Sequence, residues 1–552
     1  MHENWNLELP EWVEQPETTY TGYPITPIKF GLPKEIDSLC PECGKIIKAL
    51  LYPEGGKVWI KKRCEEHGEF LDIFYGDEEL YYRCEEFWFG DSRGVENPQI
   101  PNATTCPLQC GLCNMHLSCS ALPVIDLTNR CNLSCPVCFA NANATGYLYE
   151  PAYDDVVRML DTLANQRPVP AMRVQFSGGE PTLRPDFLKI VRKAKEMGFY
   201  YIQVNTNGIK MADIEFAQAA KEAGVHTLYL QFDGVNEDVY YRTRNLPLLE
   251  YKMKTIENCR KVGISIVFVP TVVKGFNDHE VGEIVKLAAK NVDIVSGIAF
   301  QPVSFVGRYS HSYRMERRYT MADLAFDIER QTGYIKARRD WYPLACTAIL
   351  SRFVGKIKGT TPFTVSTHPH CSQGTFFFVD KKTREVKSLG EFIDMERFLK
   401  KVAQLYKRAS TKTFDFVSNI EDWNELQDCF KEEKAPSDMT FFDLLKTLDG
   451  YENTELRRTT EKGKEHGYPH FFAAGMHFMD SYNFSVERVM RCVIHYVDPK
   501  GRLYPFCAYN GGPVYRKRVE NLFKLPDEVV KKKIIEENYP KELSRLSKKL
   551  GL

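Results

Sequence analysis

The chain has 552 residues, its 73 basic and 73 acidic side chains balance to a formal charge of zero, and 43% of it is hydrophobic. That length allows about three domains with ample core, and the lack of excess positive charge disfavours nucleic acid as a partner. The longest apolar run, residues 264–273 with Pro270 inside it, is far short of a bilayer span, and MHENWNLELPEW shows no leader pattern, so a cytoplasmic location is expected.

Residues 1–120 are rich in cysteine. The chain has seventeen cysteines, and their CxxC and CxxxCxxC spacings without a leader indicate metal sites in a reducing compartment rather than disulfides. Cys40-Pro41-Glu42-Cys43 forms a knuckle, followed by a predicted hairpin and by Cys64 with His67 three residues on. Completed by His67, the set suits structural zinc; completed by Cys84, it suits a rubredoxin-like mononuclear iron. The four-cysteine set is favoured because Cys84 otherwise has no partner. Cys106, Cys110 and Cys113 then show CxxxCxxC spacing with no strand before them, and Cys119 follows closely. Four thiolates fit a closed auxiliary 4Fe-4S cluster.

Residues 121–305 alternate strand-like runs (VIDL, MRVQF, YIQVNT, TLYLQF, ISIVFVPTVV, GIAFQPV) with amphipathic helical stretches. This pattern predicts parallel βα units and an α/β fold, a partial (β/α)6 barrel. A second CxxxCxxC, made by Cys131, Cys135 and Cys138, follows the first strand. Three thiolates would hold a 4Fe-4S cluster with one iron left open to a small molecule. The second strand ends in Ser177-Gly178-Gly179-Glu180-Pro181, where the glycines allow close backbone approach to a ligand and Glu180 offers an acceptor for an ammonium. Polar residues gather at the carboxyl ends of later strands: Asn205 to Gly208, Gln231, Asp233 and Gly234, Lys274, Gly275 and Asn277, and Gln301 with Ser304.

Residues 306–552 are rich in aromatics and contain Cys346, Cys371, Cys492 and Cys507, a candidate set for a second auxiliary 4Fe-4S cluster. Cys259 and Cys429 lie in helix-like stretches and read as core. The aromatic and methionine-rich segment from Phe471 to Met490 suits either an apolar tunnel or plain core. Basic runs at Lys531 to Lys533 and at Lys548 and Lys549 read as solvated helix faces, with peripheral contact at the inner face of a membrane as the alternative.

The second CxxxCxxC and the Gly-Gly-Glu turn together resemble the radical S-adenosylmethionine superfamily. The resemblance implies that the open iron binds S-adenosylmethionine, which yields a 5'-deoxyadenosyl radical on reduction by a donor such as ferredoxin or flavodoxin. Gly178, Gly179, Glu180, Asn207, Asp233 and one of Arg242 or Arg244, with Arg244 preferred, are expected around that cofactor. No side chain is expected to be catalytic beyond the cluster-bound cofactor. In all, three 4Fe-4S clusters and one mononuclear iron or zinc are expected.

The knuckle, the segment HLSCSALPVIDLTNRCNLSCPVCFANAN and the late cysteines resemble the archaeal tetraether lipid synthases over essentially the whole chain, most specifically over residues 106–140. That likeness implies a carbon–carbon bond-forming enzyme joining terminal methyl carbons of phytanyl chains on a glycerol diether lipid, giving tetraether or macrocyclic diether lipids. It also implies an N-terminal metal domain (1–120), a radical barrel (121–305) and a C-terminal domain (306–552) with the substrate cavity. A methyltransferase acting on a methanogen pterin coenzyme fits the barrel motifs equally well. An iron-sulfur electron carrier is disfavoured, since it needs no amine-binding turn.

Overall fold

The computed structural model describes residues 13, 15–136, 138, 140, 142–306, 309–361, 363–411, 420–449, 467–530 and 548–549. An antiparallel meander opens the fold: β1 (Lys34–Leu39), β2 (Ile46–Glu54), β3 (Lys57–Cys64) and β4 (Gly68–Tyr75), paired in chain order. Helix α1 (Glu78–Glu86) follows, started by the Asp77 carboxylate accepting from the Leu80 N–H at 2.9 Å.

The second sheet has the expected barrel at its centre. Strands β5 (Val124–Thr128), β6 (Arg173–Gly178), β7 (Tyr201–Thr206), β8 (Thr227–Gln231), β9 (Ser265–Val269) and, after the short β10 (Thr271–Val272), β11 (Val295–Pro302) run parallel in chain order. Between them lie α2 (Tyr153–Ala164), α3 (Phe187–Glu196), α4 (Ile214–Ala223), α5 (Glu237–Arg244), α6 (Leu249–Val262) and α7 (Val281–Lys290). Outward strand residues such as Ile125, Val174, Ile202, Leu228 and Ile266 pack against apolar helix residues including Val156, Leu160, Ile190 and Ile284. Strands covered on both faces read as nearly continuous apolar runs, which made these six legible in the sequence.

Strands after residue 305 join the same sheet, in the chain order β12 (Tyr342–Pro343), β13 (Ser372–Val379), β14 (Val386–Ser388), β15 (His470–Met476), β16 (His495–Val497) and β17 (Leu503–Pro505). β15 pairs in parallel with β11, and β13 pairs antiparallel with β15. At the other edge β16 lies parallel to β5, with Tyr496 opposite Val124. An open six-strand barrel leaves two rows of unpaired backbone groups, and these late strands satisfy both.

A buried ion cluster ties the meander to the C-terminal region. Arg318 donates to both Asp72 oxygens of β4 at 3.0 Å and to Asp480 at 2.6 Å, while Arg314 donates to Asp72 at 3.0 Å. Lys62 of β3, its pKa lowered to about 7 by burial, donates to Ser38 Oγ at 3.1 Å and to the Ser481 carbonyl at 2.6 Å. Among the described residues no helix is long and apolar enough to cross a membrane. The run Lys531 to Lys533 lies outside the described residues, and Lys549 pairs with Asp213 and Glu215 at the start of α4.

Removing one partner from a buried pair leaves an uncompensated charge at a cost of about 3–5 kcal/mol. Arg318→Met, which takes the cation from Asp480 and leaves Asp72 with Arg314 alone, is therefore expected to lower the melting temperature markedly in a thermal scan, whereas Lys549→Met at the exposed pair should leave it nearly unchanged.

Candidate functional site

The β1–β2 and β3–β4 turns bring Cys40, Cys43, Cys64 and His67 together, with ligand atoms all within 4.8 Å of one another. His67 Nδ1 lies 3.7 Å from Cys40 Sγ and 3.5 Å from Cys64 Sγ. Three thiols and an imidazole on two knuckles make a tetrahedral donor set that fits zinc. This corrects the four-cysteine expectation: Cys84 lies on α1, buried, with its Sγ 3.8 Å from the Tyr75 hydroxyl. A helical residue facing the core cannot reach the knuckles, and His67 stands in its place.

Cys131, Cys135 and Cys138 lie on the loop after β5 and line one cavity of about 520 Å³. The loop is held against the end of β6. Gly179 N–H donates to the Thr128 carbonyl and Glu180 N–H to the Arg130 carbonyl, both at 2.7 Å. A Cβ on Gly178 would lie 2.1 Å from Thr128 O, and one on Gly179 would lie 2.1 Å from Arg130 O. The two glycines thus let the backbone approach the cysteine loop itself, and not only a ligand. Asn143 braces the same loop, donating to the Cys131 and Leu133 carbonyls and accepting from the Cys131 N–H.

The Glu180 side chain, expected as an acceptor for an ammonium, also bonds within the protein. Its carboxylate is buried and receives four donors: Thr182 N–H and hydroxyl, the Thr206 hydroxyl and the Asn207 N–H. Three of these donors meet Oε1 and one meets Oε2, so Oε2 keeps an acceptor position, and burial keeps the carboxyl pKa above the ordinary value. Glu180 therefore clamps β6 to β7. Asp233 is likewise occupied, taking bonds from Arg244 at 2.6 and 3.0 Å, from Thr243 at 2.9 Å and from Thr271 N–H at 3.1 Å. Although burial opposes it, the Arg244 guanidinium holds the Asp233 carboxyl below its usual range. Asp233 positions Arg244, which lines the cavity and whose positive charge opposes the rise that burial gives the Cys135 thiol, whereas Arg242 is exposed.

Asn207 also lines the cavity and donates to Asn132 of the cysteine loop at 2.7 Å. Lys252 of α6 was missed in the sequence: fully buried, it donates to the Asn207 carbonyl and to Gln231 Oε1 at 2.7 Å. Nothing in its local pattern distinguishes it from a surface lysine. Of the other expected polar residues, Asn205, Thr206, Gln231 and Gln301 line the cavity. Asn277 instead donates to the Asp233 and Thr271 carbonyls, Ser304 donates to the Phe478 carbonyl, and Lys274 pairs with Asp323.

The cavity combines an apolar wall, Phe472, Ala474, Met476 and Phe478, with inward amides Gln175, Gln203, Gln231 and Gln301. Of the remaining thiols, Cys110 feels Cys106, Cys113 and Cys492, and Cys492 in turn feels Cys371 and Cys507. Cys119 lies beside the Thr364 backbone. Cys346 lines the cavity and bears on Cys84. Cys259 and Cys429 are buried.

Two outcomes follow for the metal sites. His67→Ala should lose most of the N-terminal metal measured by elemental analysis while Cys84→Ala retains it. Gly179→Ala, whose Cβ collides with the cysteine-loop backbone, should reduce reconstituted iron and sulfide and the associated visible absorbance, and should lower the melting temperature as well.

The family model for the radical SAM superfamily matches residues 125–288, and that for the HMPTM N-terminal zinc ribbon domain matches residues 32–76. The chain is 42% identical over 497 residues to a 7,8-dihydro-6-hydroxymethylpterin dimethyltransferase of Methanocaldococcus jannaschii, covering 90% of this chain and 96% of that one. It is 28% identical to a GTP 3',8-cyclase of Limosilactobacillus fermentum over 40% of this chain and 63% of the cyclase. Among solved structures, Streptococcus suis SuiB bound to its precursor peptide SuiA covers 54% of this chain and 70% of its own at 16% identity and a TM-score of 0.33, too slight a likeness to carry an argument. The full-length match overturns the tetraether lipid synthase reading and, with it, the glycerol diether lipid as partner. The motifs could not decide this, because the cofactor chemistry they report serves either substrate. The chain is a radical S-adenosylmethionine enzyme with an N-terminal zinc ribbon, and it belongs to the family of the 7,8-dihydro-6-hydroxymethylpterin dimethyltransferase.

Proposed function

We propose that this protein is a methyltransferase acting on carbon centres of a reduced pterin. The observation that carries the reading is that the cysteine loop and the layer of inward amides share one cavity, beside an apolar wall able to cover a flat ring. The relationship to the pterin dimethyltransferase supports it. Cys131, Cys135 and Cys138 are the thiolates for the 4Fe-4S cluster, with S-adenosylmethionine on the open iron. When bound, these groups supply a radical that removes hydrogen from carbon, chemistry suited to a C–H bond with no acidic proton.

The chain's own residues hold and shield this centre. Gly178 and Gly179 seat the cysteine loop, Glu180 and Asn207 join β6 and β7 beneath it, and Arg244, aimed by Asp233, places positive charge beside Cys135. Phe472, Met476 and Phe478 exclude water from the cavity. We assign Cys106, Cys110 and Cys113, with Cys371, Cys492 and Cys507, to a thiolate-rich region able to hold auxiliary iron-sulfur chemistry. The division into residues 1–120, 121–305 and 306–552 belongs to the same proposal, with the cavity built from the second and third parts.

The test is anaerobic incubation of reconstituted protein with S-adenosylmethionine, a reductant, a methylene-bearing one-carbon donor and 7,8-dihydro-6-hydroxymethylpterin, followed by mass spectrometry. Methylated pterin with matching 5'-deoxyadenosine is expected. 5'-Deoxyadenosine with unchanged pterin would sink the substrate assignment.

A further inference from the structure

The deepest polar layer of the cavity contains an unmade hydrogen bond. Gln203 of β7 is 3% exposed and lines the cavity. Its Nε2 donates to the Tyr201 hydroxyl at 3.2 Å, which anchors one end of the amide. Its Oε1 is buried and has no donor among the described residues. Gln175 of β6 stands opposite it in register, 7% exposed, and lines the same cavity. A buried amide oxygen is costly to leave unpaired, so natural cores rarely keep one without a ligand or water to satisfy it.

We infer that Gln203, with Gln175 beside it, reads the pyrimidine edge of the substrate heterocycle; this rests on the pterin reading above. That edge of a pterin carries a ring N–H and an adjacent exocyclic amine, both donors, next to ring acceptors. Gln203 Oε1 accepts from one of these donors, and the Gln175 amide, which can both donate and accept, faces the neighbouring positions. The strand rise sets the orientation. Ser177 and Asn205, bonded to each other at 3.0 Å, stand two residues further along β6 and β7, roughly 6.6 Å nearer the cysteine loop. A flat bicyclic ring held by its pyrimidine edge at Gln203 therefore presents its other ring, with the hydroxymethyl group, to the end of the barrel where Cys131 and Gly178 line the cavity. The amides thus act as specificity residues and set which carbons face the reactive end.

The probes are 7,8-dihydro-6-hydroxymethylpterin and its analogue lacking the 2-amino group, with binding to the reconstituted holoenzyme measured anaerobically by equilibrium dialysis. Wild type is expected to bind the analogue about tenfold or more weakly than the pterin. Gln203→Leu should bind both with the same reduced affinity, while Gln203→Glu, which keeps an acceptor oxygen in place, should retain the preference. S-Adenosylmethionine binding and iron content, equal to wild type in both variants, report an intact fold. Gln203→Leu that still prefers the pterin as wild type does would overturn the inference while leaving the functional reading standing. So would a variant that loses pterin and S-adenosylmethionine together. Wild-type protein that binds no pterin would overturn both.

Discussion

The structure depends on one close approach, that of the Gly178-Gly179-Glu180 turn to the backbone of Thr128 to Arg130. Two 2.7 Å hydrogen bonds cross this junction, and neither glycine has room for a Cβ. The junction fixes the cysteine loop on the end of β6 instead of leaving it an exposed excursion. Glu180 extends the constraint sideways, since its buried carboxylate joins the turn to Thr206 and Asn207 at the end of β7. Asn207 closes the circuit by returning to Asn132 on the cysteine loop. The elements that would hold a cluster are thus joined by a ring of short-range polar contacts.

Around that ring the late part of the chain completes what the barrel lacks. β15 and β16 cap the two exposed sheet edges, and β15 contributes the apolar wall of the cavity through Phe472, Ala474 and Met476. The Arg318–Asp72–Asp480 cluster locks the zinc ribbon sheet onto this same late segment. Ions so fully buried are expensive to desolvate, and here each guanidinium and carboxylate has several partners, which specifies one docking geometry more than it adds net stability.

The six barrel strands, the cysteine spacing and the Gly-Gly-Glu turn were legible because each is a local pattern: an apolar run of strand length, a triplet of thiols, two residues without side chains. The substrate was not. The cysteine pattern reports the cofactor chemistry, and that chemistry serves lipids and pterins alike. The proposed pterin reading draws on the inward face of the barrel, where Gln175, Gln203, Gln231 and Gln301 are single residues spread over more than a hundred positions. In the sequence each is an ordinary polar residue in a strand.

The sequence alone determined the fold class, the three-thiol loop and the presence of a metal-binding knuckle near the N-terminus. Tertiary structure decided that His67 and not Cys84 completes that knuckle, that Glu180 ties β6 to β7 and that Asp233 aims Arg244. The reason is the same in each case. Spacing along the chain constrains which residues lie within one turn or strand of each other, whereas a fourth ligand, a carboxylate's donors and a cavity's polarity are set by elements that meet only when the sheet closes.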